Sequence, residues 1–394
     1  MKALEGLKVL DLSMGVAGPH AGMLCAQYGA DVIKIEPPDR GDWSRLMGRR
    51  YGDMTATSVQ YNRGKRSLAV NLKDSQARAI VTKMVEQADV VLENFRPGVM
   101  QRFGLDYASL RERNPRLIYL SVTGFGQKGP MSGLPATDIV LQAFSGFMSL
   151  NKDSHGVPQR LDLVAMDIVT GLYAFQAITT SLIERQHTGL GKHIDCSLMQ
   201  SAIALQTLRM MEYVLQGSLQ NMYVPIGTMR TLDGFLAIGV MHDHDYSALC
   251  QVIEREDLAT NPLYDTMAKR VKHEKELMAI LREVFQRFST DELVRRLEQA
   301  KVLHSRVLDY TQLLAHPQVQ AMSVVTWLDQ DGFDGSIPVG NVPGAPPSSV
   351  ERNAQAPHKG EHSRVVLAEW GISDEEIAAL LQRSAISCYP EPNS

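Results

Sequence analysis

LKVLDLSMGVAGPHAGMLCAQYGADVIKIE, residues 7–36, decides the fold. Residues 7–12 are a short apolar run and read as a buried strand. Glycines follow at Gly15, Gly18 and Gly22, then an apolar helix to about Tyr28. Residues 30–36, ADVIKIE, read as a second strand that ends on an acid. Strand, glycine turn, helix and strand make a βαβ unit, and that implies a parallel sheet. A dinucleotide fingerprint starting at Gly15 would need glycine where Ala17 and His20 stand. The spacing is therefore that of close helix–strand packing, and nicotinamide binding is not expected.

The alternation continues outward. Residues 39–51, DRGDWSRLMGRRY, are irregular and basic. Residues 61–73, YNRGKRSLAVNLK, place Arg63, Lys65 and Arg66 just before a strand at 67–71. A helix at 75–88 leads to a strand at 89–93, the turn NFRPG at 94–98 and a helix at 99–103. A strand at 117–123 runs into the loop GFGQKGPMSGLPATD, 124–138. This is an α/β sheet, whose strand C-termini form the customary ligand edge. Residues 224–240 read as a hairpin around Asp233 and Gly234, and 245–297 as charged helices. We therefore expect a large domain over 1–200 and a linker helix within 201–221. A small inserted α+β domain would occupy 222–320. Residues 321–394 would then return to complete the large domain, through a Pro/Gly/Ser-rich strap at 340–362 and a last helix at 374–382.

A second stretch carries the chemistry. Residues 166–185, MDIVTGLYAFQAITTSLIER, leave no wide polar face, which predicts a buried helix. Gly171, Ala174 and Ala177 permit close approach of a neighbour, and Gly189 and Gly191 end the helix. Asp167 sits at the N-terminus, where free N–H groups and the helix dipole favour negative charge. Such an aspartate is either an N-cap or an ionised nucleophile in a cleft wall; this stretch alone leaves both open.

The chain has 394 residues, 44% hydrophobic and 21% charged, as in a soluble globular protein of two domains. A net charge of −4 argues against general nucleic-acid binding. Cys25, Cys196, Cys250 and Cys388 are scattered, which argues against a zinc site or a disulfide framework. The first residues enter a strand pattern without an apolar signal core, and no apolar run approaches a membrane span. A cytoplasmic enzyme is expected, with no nucleic-acid, membrane or metal partner.

In this order the motifs resemble the class III CoA-transferases, the formyl-CoA transferase-like family that also contains α-methylacyl-CoA racemases. The likeness rests on LEGLKVLDLS, AGPHAG, YGADVIKIE, NRGKRSLAVNLK, VLENFRPGVMQRFGL, GFGQKGP, and the Asp167 helix followed by TGLGKHIDCSLM. It covers nearly the full length. The resemblance implies a Rossmann-like large domain built from both chain ends, a small inserted domain, and an obligate homodimer of interlocked subunits. It implies that Asp167 attacks an acyl-CoA thioester. It also implies that Asn94, Phe95 and Arg102 line the coenzyme A site, with Val16 and Val70 as apolar wall. Coenzyme A is then a substrate, and no permanently bound cofactor is expected.

The residues fit that chemistry. A carboxylate can carry the acyl group as an anhydride and coenzyme A as a thioester, and near neutral pH it is expected to be ionised already. Backbone N–H groups near the developing oxyanion are needed, and the loop at 124–129, with Gly124 and Gly126, is a candidate. Arg63, Lys65 and Arg66 carry charge suited to phosphates. Many family members have Arg just after the acid at Glu36; here Pro37 and Pro38 follow, and Arg40 is the expected substitute. The glycine-rich flap of formyl-CoA transferases is absent around 215–227, which argues against oxalate and formyl-CoA. KVLHSRV at 301–307 stands where the family has G-V-P-x-G-P-V.

The expected acceptor is a small dicarboxylate such as succinate, itaconate, mesaconate or citramalate, read by Arg45, Arg49 or Arg50. The nearest alternative is a racemase, which needs a His just before Asp138; Thr137 stands there and cannot shuttle a proton. Asp138 is expected to be a helix cap or a supporting group. His242 and His244 are expected on a solvated turn. A further alternative is a non-catalytic coenzyme A-binding protein, should Asp167 be only a cap.

Overall fold

Lys8–Asp11 (β1), Ala17–Gln27 (α1) and Asp31–Glu36 (β2) form the βαβ unit that residues 7–36 require. β1 and β2 pair in parallel, Val9 opposite Val32 and Leu10 opposite Ile33. The computed structural model describes residues 2–345 and 354–389. The chain divides into two units: one takes it up to Thr207 and again from Ser323, and the other runs Leu208–Met322.

The first unit is built on a seven-stranded sheet. Its further elements are α2 (Ala56–Asn62), β3 (Arg66–Val70), α3 (Ser75–Val85), β4 (Val90–Glu93) and β5 (Ile118–Thr123). Then come α4 (Asp138–Phe144), α5 (Ala165–Thr188), β6 (His193–Ser197) and β7 (Ile386–Ser387). The strand order is β7-β3-β2-β1-β4-β5-β6. All pairs are parallel except the last-formed one, where Ile386 lies opposite Val70. The sheet thus draws strands from both ends of the chain, as the resemblance implies.

Successive strand residues point to opposite faces, so the near-continuous apolar runs serve two cores. Leu10, Ile33, Leu68 and Val91 face one core with α3 and the C-terminal helices. Val9, Val32, Val90 and Leu120 face the other with α1 and α5. α1 has no polar face because all eleven of its residues are buried.

Buried ion pairs tie the strand ends. Lys65 Nζ meets Asp11 Oδ2 at 2.7 Å and Lys34 Nζ meets Asp42 Oδ2 at 2.7 Å, with all four side chains shielded from solvent. Glu36, the acid that ends β2, takes Arg45 through both oxygens at 2.7 and 2.8 Å and accepts Ser67 Oγ at 2.6 Å. The returning chain is fastened to this edge. His358 Nδ1 meets Asp53 Oδ1 at 2.6 Å, and Lys359 Nζ donates to the Pro38 and Asp39 carbonyls. The strap expected at 340–362 is described only on either side of 346–353, which lie outside the described residues.

Two expectations change. α5 is not buried all round: Leu172, Tyr173 and Ile183 are exposed, while Gly171, Ala174 and Ile178 pack inward. By length and composition alone α5 is also long and apolar enough to cross a membrane. The sequence reading expected no apolar run to approach a membrane span, and the inward face of α5 packs in the core with α1. Where one linker helix is expected within 201–221, there are two helices, Leu198–Leu205 and Thr207–Gln216. They part at Gln206, which leaves helical geometry while its side-chain amide donates to the Ser145 carbonyl at 2.9 Å.

The second unit holds a three-stranded antiparallel sheet and helices around its own core. The hairpin around Asp233 pairs Phe235 with Arg230. Asp233 itself accepts the backbone N–H of Thr290 at 2.7 Å and so joins the hairpin to the next helix.

Candidate active site

α5 begins after Val164, the N-cap residue, which has no capping side chain. The cap comes from another helix. Asp138 Oδ1 accepts the Met166 N–H at 2.7 Å, and its other oxygen accepts Gln142 Nε2 at 2.5 Å. Gln142 also donates to the carbonyls of Leu161 and Leu163, and so fixes the chain that enters α5. Asp138 is therefore the cap. Asp167 lies in the first turn and makes no side-chain hydrogen bond among the described residues.

Asp167 is partly exposed at the start of α5, which packs on α1 and α4. Burial, and then the charge of Asp138, push its carboxyl up to about 7. The sequence reading expected an acid already ionised at neutrality. Here burial and the Asp138 charge favour the protonated acid near neutrality, and the anion, when formed, is a stronger base than a free aspartate.

Around it stand His20 and Tyr61, ring centroids 5.5 Å apart and edge to face. The charges of Asp167 and Asp138 help raise the Tyr61 phenol to about 12, after burial. His20 lies on Gly171, one helical turn beyond Asp167. A Cβ at Gly171 would come within 2.7 Å of His20 Cβ and Nδ1. This is why the sequence carries glycine there.

A cavity of about 570 Å³ opens at the C-terminal edge of β1, β2 and β3. It brings together Arg40, Val70 and Phe95 from the sequence reading with Lys73, Phe103 and Ser387, which that reading did not single out. Lys73 ends the NLK run directly after β3, and that position was the available signal. Ser387 reaches the cavity through the antiparallel pairing of β7, which residue patterns do not announce.

The other candidates are placed elsewhere. Asn94 uses both amide atoms on Met14, accepting its N–H at 2.8 Å and donating to its carbonyl at 2.6 Å. It joins the NFRPG turn to the first turn of the chain. Val16 is buried at the start of α1, and Arg102 is exposed on the short helix Val99–Phe103. Lys65 is spent on Asp11, Asn62 and the Pro19 carbonyl, and Arg66 on Asp31 and Glu369. Arg63 is buried against the Gly340 carbonyl at 3.4 Å, and burial lowers its guanidinium to about 10.

In the glycine loop, Gly124 packs on Ala136, and the Gly126 N–H is taken by Thr123 Oγ1 at 3.0 Å. Of the arginines proposed to read an acceptor, Arg45 is held by Glu36. Arg49 lies over the Tyr51 ring, and Arg50 donates to the Gly52 carbonyl. His242 and His244 stack on each other in the second unit, at the start of Asp243–Val252.

The described residues contain no cluster of His, Cys, Asp and Glu able to hold a metal ion. The cavity can hold an extended ligand at the strand edge, and the basic carboxylate of Asp167 stands on α5, outside the residues that line it.

The family model described as CoA-transferase family III matches residues 4–363. A succinate–glutarate CoA-transferase of Agrobacterium fabrum is 35% identical, covering 93% of this chain and 95% of that protein. The human succinyl-CoA:glutarate CoA-transferase is 33% identical over 98% of this chain and 90% of its own. The crystal structure of a CAIB/BAIF family protein from Brucella suis superposes with a TM-score of 0.82 at 31% identity, covering 94% of this chain and 99% of that one.

Proposed function

The chain belongs to CoA-transferase family III, and from that premise we propose that it moves coenzyme A from succinyl-CoA to a dicarboxylic acid of about the size of glutarate, with Asp167 as the covalent carrier. The observation that carries the reading is the state of Asp167. It is a first-turn carboxylate relieved of capping by Asp138, partly open, and raised to about 7.

Asp167 attacks the thioester carbonyl, the C–S bond breaks, and an aspartyl anhydride and coenzyme A thiolate result. The thiolate attacks the aspartyl carbonyl and releases the donor acid. Aspartyl-CoA then meets the acceptor carboxylate, and the same two steps run in reverse. The cavity of about 570 Å³ suits the nucleotide end, with Arg40 and Lys73 for phosphate and Phe95 and Val70 for apolar contact. Raised basicity strengthens the nucleophile, at the cost of its ionised fraction below pH 7.

The proposal includes a homodimer. Leu172, Tyr173 and Ile183 of α5 are exposed apolar side chains, of the sort found at an interface. It also includes a cytoplasmic location, supported by four free cysteines, three of them buried.

The test is intact mass after mixing with succinyl-CoA, followed by hydroxylamine and peptide mapping. An adduct on Asp167 that is missing in Asp167→Asn supports the reading. Transfer to glutarate by the Asn variant at the wild-type rate would end it.

A further inference from the structure

Resting on the cavity of about 570 Å³ as the seat of coenzyme A, we propose that Glu93 is a positioning residue for that substrate: its carboxyl group holds the Phe95 N–H and so sets the ring that Phe95 presents to the cavity. Glu93 ends β4 and is 4% exposed. Its Oε2 accepts the Phe95 N–H at 2.8 Å. The NFRPG turn is thus tied at two adjacent residues. Asn94 is held on Met14 through both amide atoms, and Phe95 is held on Glu93. Phe95 itself is half-buried, with its side chain in the wall of the large cavity.

A second cavity, of about 160 Å³, is lined by the residues on either side of Phe95. Glu93 and Arg96 reach it from the turn, Ser121 from β5 and His193 from β6. Ser121 Oγ meets His193 Nε2 at 2.9 Å, and the imidazole is exposed. Polar groups therefore lead from the buried carboxyl towards solvent. Phe95 faces one cavity while its neighbours face the other, so the turn joins the two.

No cation pairs with Glu93 among the described residues. Burial pushes its carboxyl up to about 7; Ser121 and the Phe95 N–H oppose that rise, and the charge of Asp195 adds to it. Arg96, Asp106, Tyr107, Tyr119 and His193 are the other charged or titratable groups around the second cavity. A buried carboxyl without a cationic partner is costly, and a glutamine would serve to accept one N–H. The carboxyl differs from that amide in gaining charge near neutrality, and an ionised acceptor makes the stronger hydrogen bond. The hold on Phe95 therefore tightens as pH rises through about 7.

The experiment titrates the full chain with free coenzyme A by calorimetry, from about pH 6 to about pH 8, spanning the ionisation of Glu93. The chain carries Asp167→Asn, because Asp167 titrates in the same range. With Glu93 in place, affinity is expected to rise about fivefold over that span relative to Glu93→Gln, whose amide keeps the acceptor without the charge. Protonation of the coenzyme's own phosphates is common to both chains and cancels in the ratio. Glu93→Ala loses the acceptor and is expected to bind about tenfold more weakly than the Glu93 chain at the alkaline end. Once Phe95→Ala has been introduced, Glu93→Gln is expected to change nothing further.

A Gln variant that follows the pH dependence of the Glu93 chain would overturn the proposal, and so would a Glu93→Gln effect that persists without the Phe95 ring. Both results leave coenzyme A in the cavity. Phe95→Ala binding coenzyme A as tightly as the unaltered turn would remove the cavity from the reading, and this proposal with it.

Discussion

The Asp138 carboxylate accepts the backbone N–H of Met166 at 2.7 Å, one residue before Asp167. One acid therefore caps the helix while the other is left free in its first turn. The same contact sets a negative charge beside Asp167, which adds to burial in holding its carboxyl up near 7. Two carboxylates in one place are pushed apart in role by their partners.

Asp138→Asn keeps an oxygen to accept the Met166 N–H and removes the charge. Asp167 should then titrate lower, and the acid limb of the rate of adduct formation should move to lower pH. Asp138→Ala loses the cap as well, at roughly 1 kcal/mol. A pH profile of single-turnover rates checks both variants; an unmoved limb in the Asn variant would show that burial alone sets the shift.

Asp167→Asn should abolish transfer and stabilise the fold at alkaline pH. The folded carboxyl sits at about 7, above its ordinary value of 3.8. Between those values the folded state holds the extra proton, so stability falls as pH rises through this window. The variant escapes that loss. Its advantage in Tm over wild type should grow from about pH 4 to pH 7 and then level off. A gap in Tm that stays constant with pH would mean that Asp167 is not perturbed in the folded protein.

Gly171→Ala places a methyl 2.7 Å from the His20 ring and Cβ. Overpacking of this kind costs roughly 1–3 kcal/mol. His20→Ala in the same chain should make room and recover most of the stability. Denaturant midpoints of the two single variants and the double variant check this. Additive losses of stability would mean that the two sites do not touch.

The fold was legible where residue patterns are local. The run 7–36 gives strand, helix and strand because apolar periodicity changes within it, and the structure places β1, α1 and β2 accordingly. Asp167 was legible as a lone acid heading an apolar helix. What could not be read were charges cancelled at a distance. Lys65 and Arg45 look free in the sequence, yet Asp11 and Glu36 neutralise them inside the protein. The capping of α5 by Asp138 depends on two helices meeting, and no spacing reports it. Ser387 enters the cavity only because β7 pairs with β3.

Lys65 and Lys73 flank the same strand, β3, and should separate stability from binding. Lys65 is fully buried on Asp11, whose carboxyl it helps to hold below the usual range against the opposing effect of burial. Lys65→Met strands that carboxylate, a change that costs roughly 3–5 kcal/mol and should lower Tm by on the order of 10 °C. In the folded fraction the KM for succinyl-CoA should stay near wild type. Lys73 is exposed at the mouth of the cavity of about 570 Å³. Lys73→Ala should leave Tm within about 1 °C. Its KM for succinyl-CoA should rise about tenfold, the cost of one lost phosphate contact, and the difference from wild type should shrink in high salt as screening weakens that contact. Thermal melts and initial rates at low and high ionic strength read both variants. If Lys65→Met raised KM without loss of Tm, the cation would be reaching ligand rather than Asp11. If Lys73→Ala left KM unchanged, the phosphates would lie outside this cavity.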